Sequence, residues 1–204
     1  MSNFNNSCDL KNQVIMTVFC IDKRFDFLTT DYFQKIGLKY NYYLLTTAGS
    51  SLCLGYENYC KNICNCNCNC DYKNNLIECN PDDSDMHLLK KNIIKNIEIA
   101  LSLDPLEEVY LLNHQDCGAI KAYLGCSGYP QKLGENNQLE IQINIKLLNF
   151  AKEYIENTFK NIKNIKLGLI DINGTVADYD AKYCSWNLIF RGNGNDIRGI
   201  WFGL

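Results

Sequence analysis

The chain has 204 residues, 47% of them hydrophobic and 21% charged, with a formal net charge of −3. That balance suits one soluble globular domain with a sizeable core, and it excludes the broad basic field that nucleic acid or an anionic membrane would require. No apolar run approaches the roughly 18 residues of a membrane span, and the opening MSNFNNSCDL has neither the basic start nor the apolar stretch of a secretory signal.

In chain order, residues 13–20 (QVIMTVFC) read as a buried strand, being apolar, β-branched and too short for a helix. Residues 41–47 (NYYLLTT) give a second strand, closed by Ala48-Gly49. Ser84 caps a helix whose apolar positions Leu88, Ile94, Ile97 and Leu101 follow helical spacing. Beyond Pro105, residues 107–113 (EEVYLLN) give a third strand, and a short helix starts near Cys117. A longer helix spans 139–159 with Ile143, Leu147, Phe150, Tyr154 and Phe159 as its apolar stripe. Residues 165–172 (IKLGLIDI) form a fourth strand, turned back by Asn173-Gly174. Strands alternating with helices predict an α/β fold with a mostly parallel sheet flanked by helices. The expected organisation is a single domain over 1–204, with an insertion at about 57–83 and a C-terminal extension from about 178. The tail from Tyr183 is apolar enough to pack on its own core or on a partner.

Twelve cysteines is the abnormal count. Without a secretory signal the expectation is a reducing, cytoplasmic setting, where metal binding or thiol chemistry outweighs a disulfide framework. Six cysteines (Cys60, Cys64, Cys66, Cys68, Cys70 and Cys79) lie in the asparagine-rich stretch 57–83. Their Cys-x-Cys alternation departs from the Cys-x-x-Cys spacing of structural zinc, so the stretch reads as a low-complexity loop rather than a thiolate cluster. Cys8, Cys53, Cys126 and Cys184 read as small hydrophobes, and His87 is assigned no role.

Two short motifs carry chemistry. Cys20-Ile21-Asp22-Lys23-Arg24 ends the first strand, and an extended chain would point Cys20, Asp22 and Arg24 to one face. His114-Gln115-Asp116-Cys117-Gly118 follows the third strand, offering an imidazole and a thiolate at a strand-to-helix junction. Both lie at the carboxyl ends of parallel strands, where open sheets place ligands. Two sulfurs and one imidazole suit zinc and leave a fourth position open, the mark of a catalytic rather than a structural ion. Water bound there becomes a hydroxide nucleophile near neutral pH. Asp22 would accept a hydrogen bond from it, or fill the fourth position itself, with Arg24 holding the carboxylate ionised.

Cys-x-Asp-x-Arg followed by His-x-x-Cys-Gly resembles the motif pair of the β-class carbonic anhydrases. Thr46-Thr47-Ala48-Gly49-Ser50 is similar to the family's Arg-Asn-Ala-Gly loop, and LGLIDINGTV to its late strand and turn. The resemblance covers residues 13–177, interrupted by the cysteine-rich stretch. It implies one zinc ion per chain held by Cys20, His114 and Cys117, with Asp22 and Arg24 as the catalytic dyad. Asp22 would join the metal only in a closed form at lower pH. It also implies reversible hydration of carbon dioxide to bicarbonate by a zinc-bound hydroxide, with Ala48, Gly49 and Gly118 lining the substrate site. A homodimer or higher homo-oligomer is implied as well. Relatives with the same metal site hydrolyse carbon disulfide or carbonyl sulfide, and a non-catalytic zinc or thiol-metal binding protein is the alternative from another class. Three positions depart from the family pattern: Lys23, the Thr46-Thr47 pair, and Asn113 before the histidine.

Overall fold

The computed structural model describes residues 14–38, 41–62, 80, 82–125 and 128–171, together with the backbone of two C-terminal strands. In chain order the elements are β1 (Val14–Cys20), α1 (Asp26–Lys35), β2 (Tyr42–Thr47), α2 (Leu52–Asn62), α3 (Ser84–Leu103) and β3 (Leu106–His114). There follow α4 (Gly118–Leu124), α5 (Asn137–Thr158), β4 (Asn164–Ile170), β5 (Val176–Asp180) and β6 (Ser185–Phe190). The sheet order is β2-β1-β3-β4-β5-β6. The first four strands pair in parallel, and β5 and β6 extend the sheet antiparallel. The expected α/β class with a mostly parallel sheet is therefore observed, and the four expected strands fall within two residues of their predicted bounds.

Alternation along the strands divides the core between the two sheet faces. Ile15 and Phe19 of β1 with Tyr110 and Leu112 of β3 meet Phe25 and the α1 residues Tyr32 and Phe33 on one face. Met16, Val18, Cys20, Val109 and Leu111 face the other way, against α2, α3, α4 and α5. Steps from β1 to β2 and from β2 to β3 run in opposite directions across the sheet, so right-handed crossovers place α1 alone on its face.

Several expectations are corrected. The cap of α3 is Asp83, whose carboxylate accepts from the Asp85 and Met86 N–H groups, and not Ser84. Its buried face is Met86, Ile93, Ile97 and Ala100, whereas Leu88 is 67% exposed. Leu88 sits out of phase with that stripe, and only packing decides which of two apolar faces is used. The α5 stripe likewise runs through Ile143, Leu147, Leu148, Ala151 and Ile155, with Phe150, Tyr154 and Phe159 only partly buried. The stretch expected as an insertion begins inside α2, which continues to Asn62. Cys60 of that helix is disulfide-bonded, which departs from the expectation of reduced thiols. Residues 63–79 and 81, with Cys64, Cys66, Cys68, Cys70 and Cys79, lie outside the described residues, as do Cys8, Cys126 and Cys184. Cys53 is the inert buried thiol expected, its pKa pushed up to about 12 by burial. Strands β5 and β6 make the extension a continuation of the sheet. No helix among the described residues is long and apolar enough to cross a membrane.

Candidate metal centre

The sheet order reverses at β1, which has β2 on one side and β3 on the other. Loops leave the carboxyl ends of β1 and β3 in opposite directions there, which opens a crevice between them. Cys20 is the last residue of β1 and His114 the last of β3, so strand register alone brings them to the same end. Cys117 arrives by a tight turn. Asp116 adopts a left-handed φ of +59°, which an aspartate tolerates, and Cys117 then caps α4 in extended conformation. The two Sγ atoms stand 3.9 Å apart. With the His114 imidazole, all three donor atoms lie within 4.8 Å of one another, and all three residues are buried.

The orientation of His114 is fixed. Its Nδ1 lies 2.7 Å from the Gln115 carbonyl oxygen, which can only accept, so Nδ1 carries the proton and donates it. The ring is tilted against Phe25 at 4.3 Å between centroids. Nε2 is left with its lone pair, buried and without a hydrogen-bond partner among the described residues. A buried nitrogen left unpaired costs stability unless something binds it. Two thiols beside that lone pair form the donor set of a borderline-soft divalent ion, and zinc fits it. Burial and proximity split the thiols: Cys20 is pulled down to about 4, chiefly by the Cys117 thiol and further by His114. Cys117 goes up, because Cys20 ionises first and burial penalises a second charge. A divalent cation would ionise both.

Asp22 and Arg24 come together by a different route from the extended chain expected. The strand ends at Cys20 and the backbone turns, with the Phe25 N–H donating to the Asp22 carbonyl. The Asp22 carboxylate still takes Nε of Arg24 at 3.0 Å and its terminal Nη2 at 2.6 Å. This fork holds Asp22 at about 2. Its Oδ2 lies 4.0 Å from His114 Nε2. Lys23 is exposed on the turn.

Sequence reasoning missed Asp116 as a functional residue. Its Oδ2 accepts from Arg24 Nη1 at 2.7 Å and its carbonyl accepts from Nη2 at 3.0 Å, so the turn bearing Cys117 also clamps the guanidinium. Lys121 forms an ion pair with the other oxygen. Partial burial pushes the Asp116 carboxyl up, but Arg24 and Lys121 hold it below the usual range. The acid between His and Cys was the available signal.

The Ala48-Gly49 turn packs beside the centre. Gly49 has φ +76°, and a Cβ there would meet Leu52 at 2.9 Å and Ala119 at 3.3 Å. Ser50 pins this turn to the sheet by donating to the Val18 and Leu112 carbonyls. Gly118 faces open space. Asn113, where the resemblance would put glycine, accepts from the Ser51 hydroxyl and donates to Asn144, joining the turn before α2 to β3 and α5.

No protein-family model matches the chain, and no curated protein matches it. Among solved structures it is similar to the crystal structure of β-carbonic anhydrase isoform I from the protozoan Trichomonas vaginalis. That likeness has 17% sequence identity and a TM-score of 0.34, covering 87% of this chain and 86% of the other.

Proposed function

We propose that the chain is a zinc-dependent enzyme that hydrates carbon dioxide reversibly to bicarbonate, with Cys20, His114 and Cys117 as the ligands. The observation that carries this reading is the unpartnered, buried Nε2 of His114. It shares its enclosure with two thiols and stands 4.0 Å from a carboxylate held by arginine. A structural site would be closed by a fourth ligand, whereas here the next group is an anion clamped at its own distance.

Zinc, when bound, supplies the Lewis acidity that makes a water nucleophilic near neutral pH. The remaining work falls to the chain. Arg24 holds the Asp22 carboxylate ionised, and Asp22 Oδ2 is the acceptor that orients the attacking water. Held at about 2, Asp22 is too weak a base to keep the proton at neutral pH. The water oxygen forms a bond to the carbon, one C=O π bond opens into a carboxylate oxygen, and the proton leaves to buffer. Ala48, Gly49 and Gly118 border the space where carbon dioxide would sit. The same chain is taken as one cytoplasmic domain that assembles as a homo-oligomer, and Asp22 as a metal ligand only in a closed form.

Stopped-flow measurement of carbon dioxide hydration by the zinc-loaded chain tests the reading. Turnover well above buffer, lost by about a hundredfold in Asp22→Ala with zinc retained, is the expected result. A zinc-loaded wild type with no turnover overturns it and leaves hydrolysis of carbon disulfide or carbonyl sulfide, or a binding role.

A further inference from the structure

Glu140 is 3% exposed, in the first turn of α5. A carboxylate there is costly unless its oxygens are satisfied. Oε1 accepts two hydrogen bonds, from the Asp116 backbone N–H at 2.6 Å and from the Tyr129 hydroxyl at 2.7 Å. The Tyr129 oxygen in turn accepts from Asn144 Nδ2 at 3.3 Å, and Asn144 Oδ1 accepts from Asn113 at 3.0 Å. Asn113 is the residue immediately before His114. The polar chain therefore starts beside one candidate ligand and ends on the turn that carries another.

We infer, on the metal-site reading above, that Glu140 is the positioning residue of the centre: its buried carboxylate holds the left-handed Asp116 turn that delivers Cys117 to Cys20. Asp116 spends its N–H on Glu140 and its carbonyl and carboxylate on Arg24, so one turn sets both a ligand and the clamp on Asp22. Without an acceptor at Oε1, the Asp116 N–H would be left unsatisfied. The turn would then relax away from its positive φ, and the 3.9 Å sulfur pair would open with it. Both bonds fall on a single oxygen, so glutamine supplies the same acceptor and an apolar side chain of similar length supplies none.

The test uses the full chain loaded with cobalt(II) and, separately, a zinc chelator competition. These readouts report ligand geometry and affinity whether or not carbon dioxide is hydrated. Glu140→Met should weaken metal affinity by roughly tenfold to a hundredfold and shift the cobalt d–d and thiolate bands, as loss of an outer-sphere support does. Glu140→Gln should keep both close to wild type, whereas a merely space-filling role would leave Glu140→Gln and Glu140→Met alike. Tyr129→Phe, which removes one bond to Oε1 and little volume, should move both in the same direction by a few-fold. It decides the matter if Glu140→Met does not fold. Unchanged cobalt bands and affinity in a folded Glu140→Met overturn the inference, as they do in Tyr129→Phe if the Glu140→Met chain is unfolded. Equal damage from Glu140→Gln and Glu140→Met does the same. Absence of carbon dioxide turnover in the wild type defeats the proposed reaction and leaves this inference to be judged on cobalt alone.

Discussion

His114 concentrates the chemistry of the centre in one atom. Its Nδ1 proton is committed to the Gln115 carbonyl and its Nε2 has no hydrogen-bond partner among the described residues, so the imidazole is already in the tautomer a cation needs. His114→Ala removes the only nitrogen donor of the three-residue group. Zinc affinity of that variant should fall by at least about a hundredfold, read by chelator competition, and wild-type affinity would refute the ligand assignment. Arg24→Lys tests the clamp. A lysine cannot fork onto Asp22 while reaching both the Asp116 carboxylate and its carbonyl, as the guanidinium does. Zinc should stay at one per chain while hydration slows by about a hundredfold, since a displaced carboxylate misorients the water. Metal content and stopped-flow rate on the same sample check this.

The elements around the centre are tied to each other by packing and charge. Gly55 of α2 crosses α5 so closely that a Cβ would stand 2.4 Å from the Leu147 carbonyl oxygen, a backbone atom that cannot rotate away. Gly55→Ala should therefore destabilise by about 3 kcal/mol, visible as a lower urea midpoint. Glu57, two residues on, bridges Lys61 of its own helix and Lys90 of α3, and the Lys90 ammonium also lies 4.0 Å over the Tyr154 ring of α5. Lys61 chiefly, then Lys90, holds Glu57 at about 2, below its ordinary 4.5. A depressed carboxyl contributes stability that is present above pH 4.5 and lost as pH falls toward 2. A third of the side chain is exposed, so screening limits the contribution to about 1 kcal/mol or less. Glu57→Gln should lower the melting midpoint by roughly 2–4 °C at about pH 7, and the gap should narrow as pH falls below about 4.5 and close only below about pH 2. A gap independent of pH would mean that packing, not charge, joins these helices.

At the scale of the whole molecule, the four parallel strands and the candidate donor residues were legible in sequence because each depends on local chemistry. The β-branched run before Cys20 reads as a buried strand, and Cys-x-Asp-x-Arg with His-x-x-Cys-Gly names donors that two strand ends and the turn into α4 bring together. What was hidden depends on long-range packing. The short helix α1 has a weak apolar stripe, with Thr29, Tyr32 and Phe33 as its buried face. Glu140 and Asn144 read as ordinary helix polar residues. Their one signal was falling four apart among Ile141, Ile143, Leu147 and Leu148, on a face that turned out to be buried. Asn113 looked like a departure from the family pattern, yet it joins the network that reaches Tyr129 and Glu140. The cysteine-rich stretch is the competing site for metal at this scale. Replacing residues 64–78 with a short flexible linker should leave one zinc per chain, and loss of all metal would locate it in that stretch instead.

Zinc K-edge X-ray absorption on the full chain at one zinc per chain tests the central claim most directly. Two sulfurs at about 2.3 Å and two lighter atoms at about 2.0–2.1 Å, one of them lost in His114→Ala, are the predicted first shell. Four sulfurs, or a shell untouched by that substitution, would contradict a zinc centre built by Cys20, His114 and Cys117.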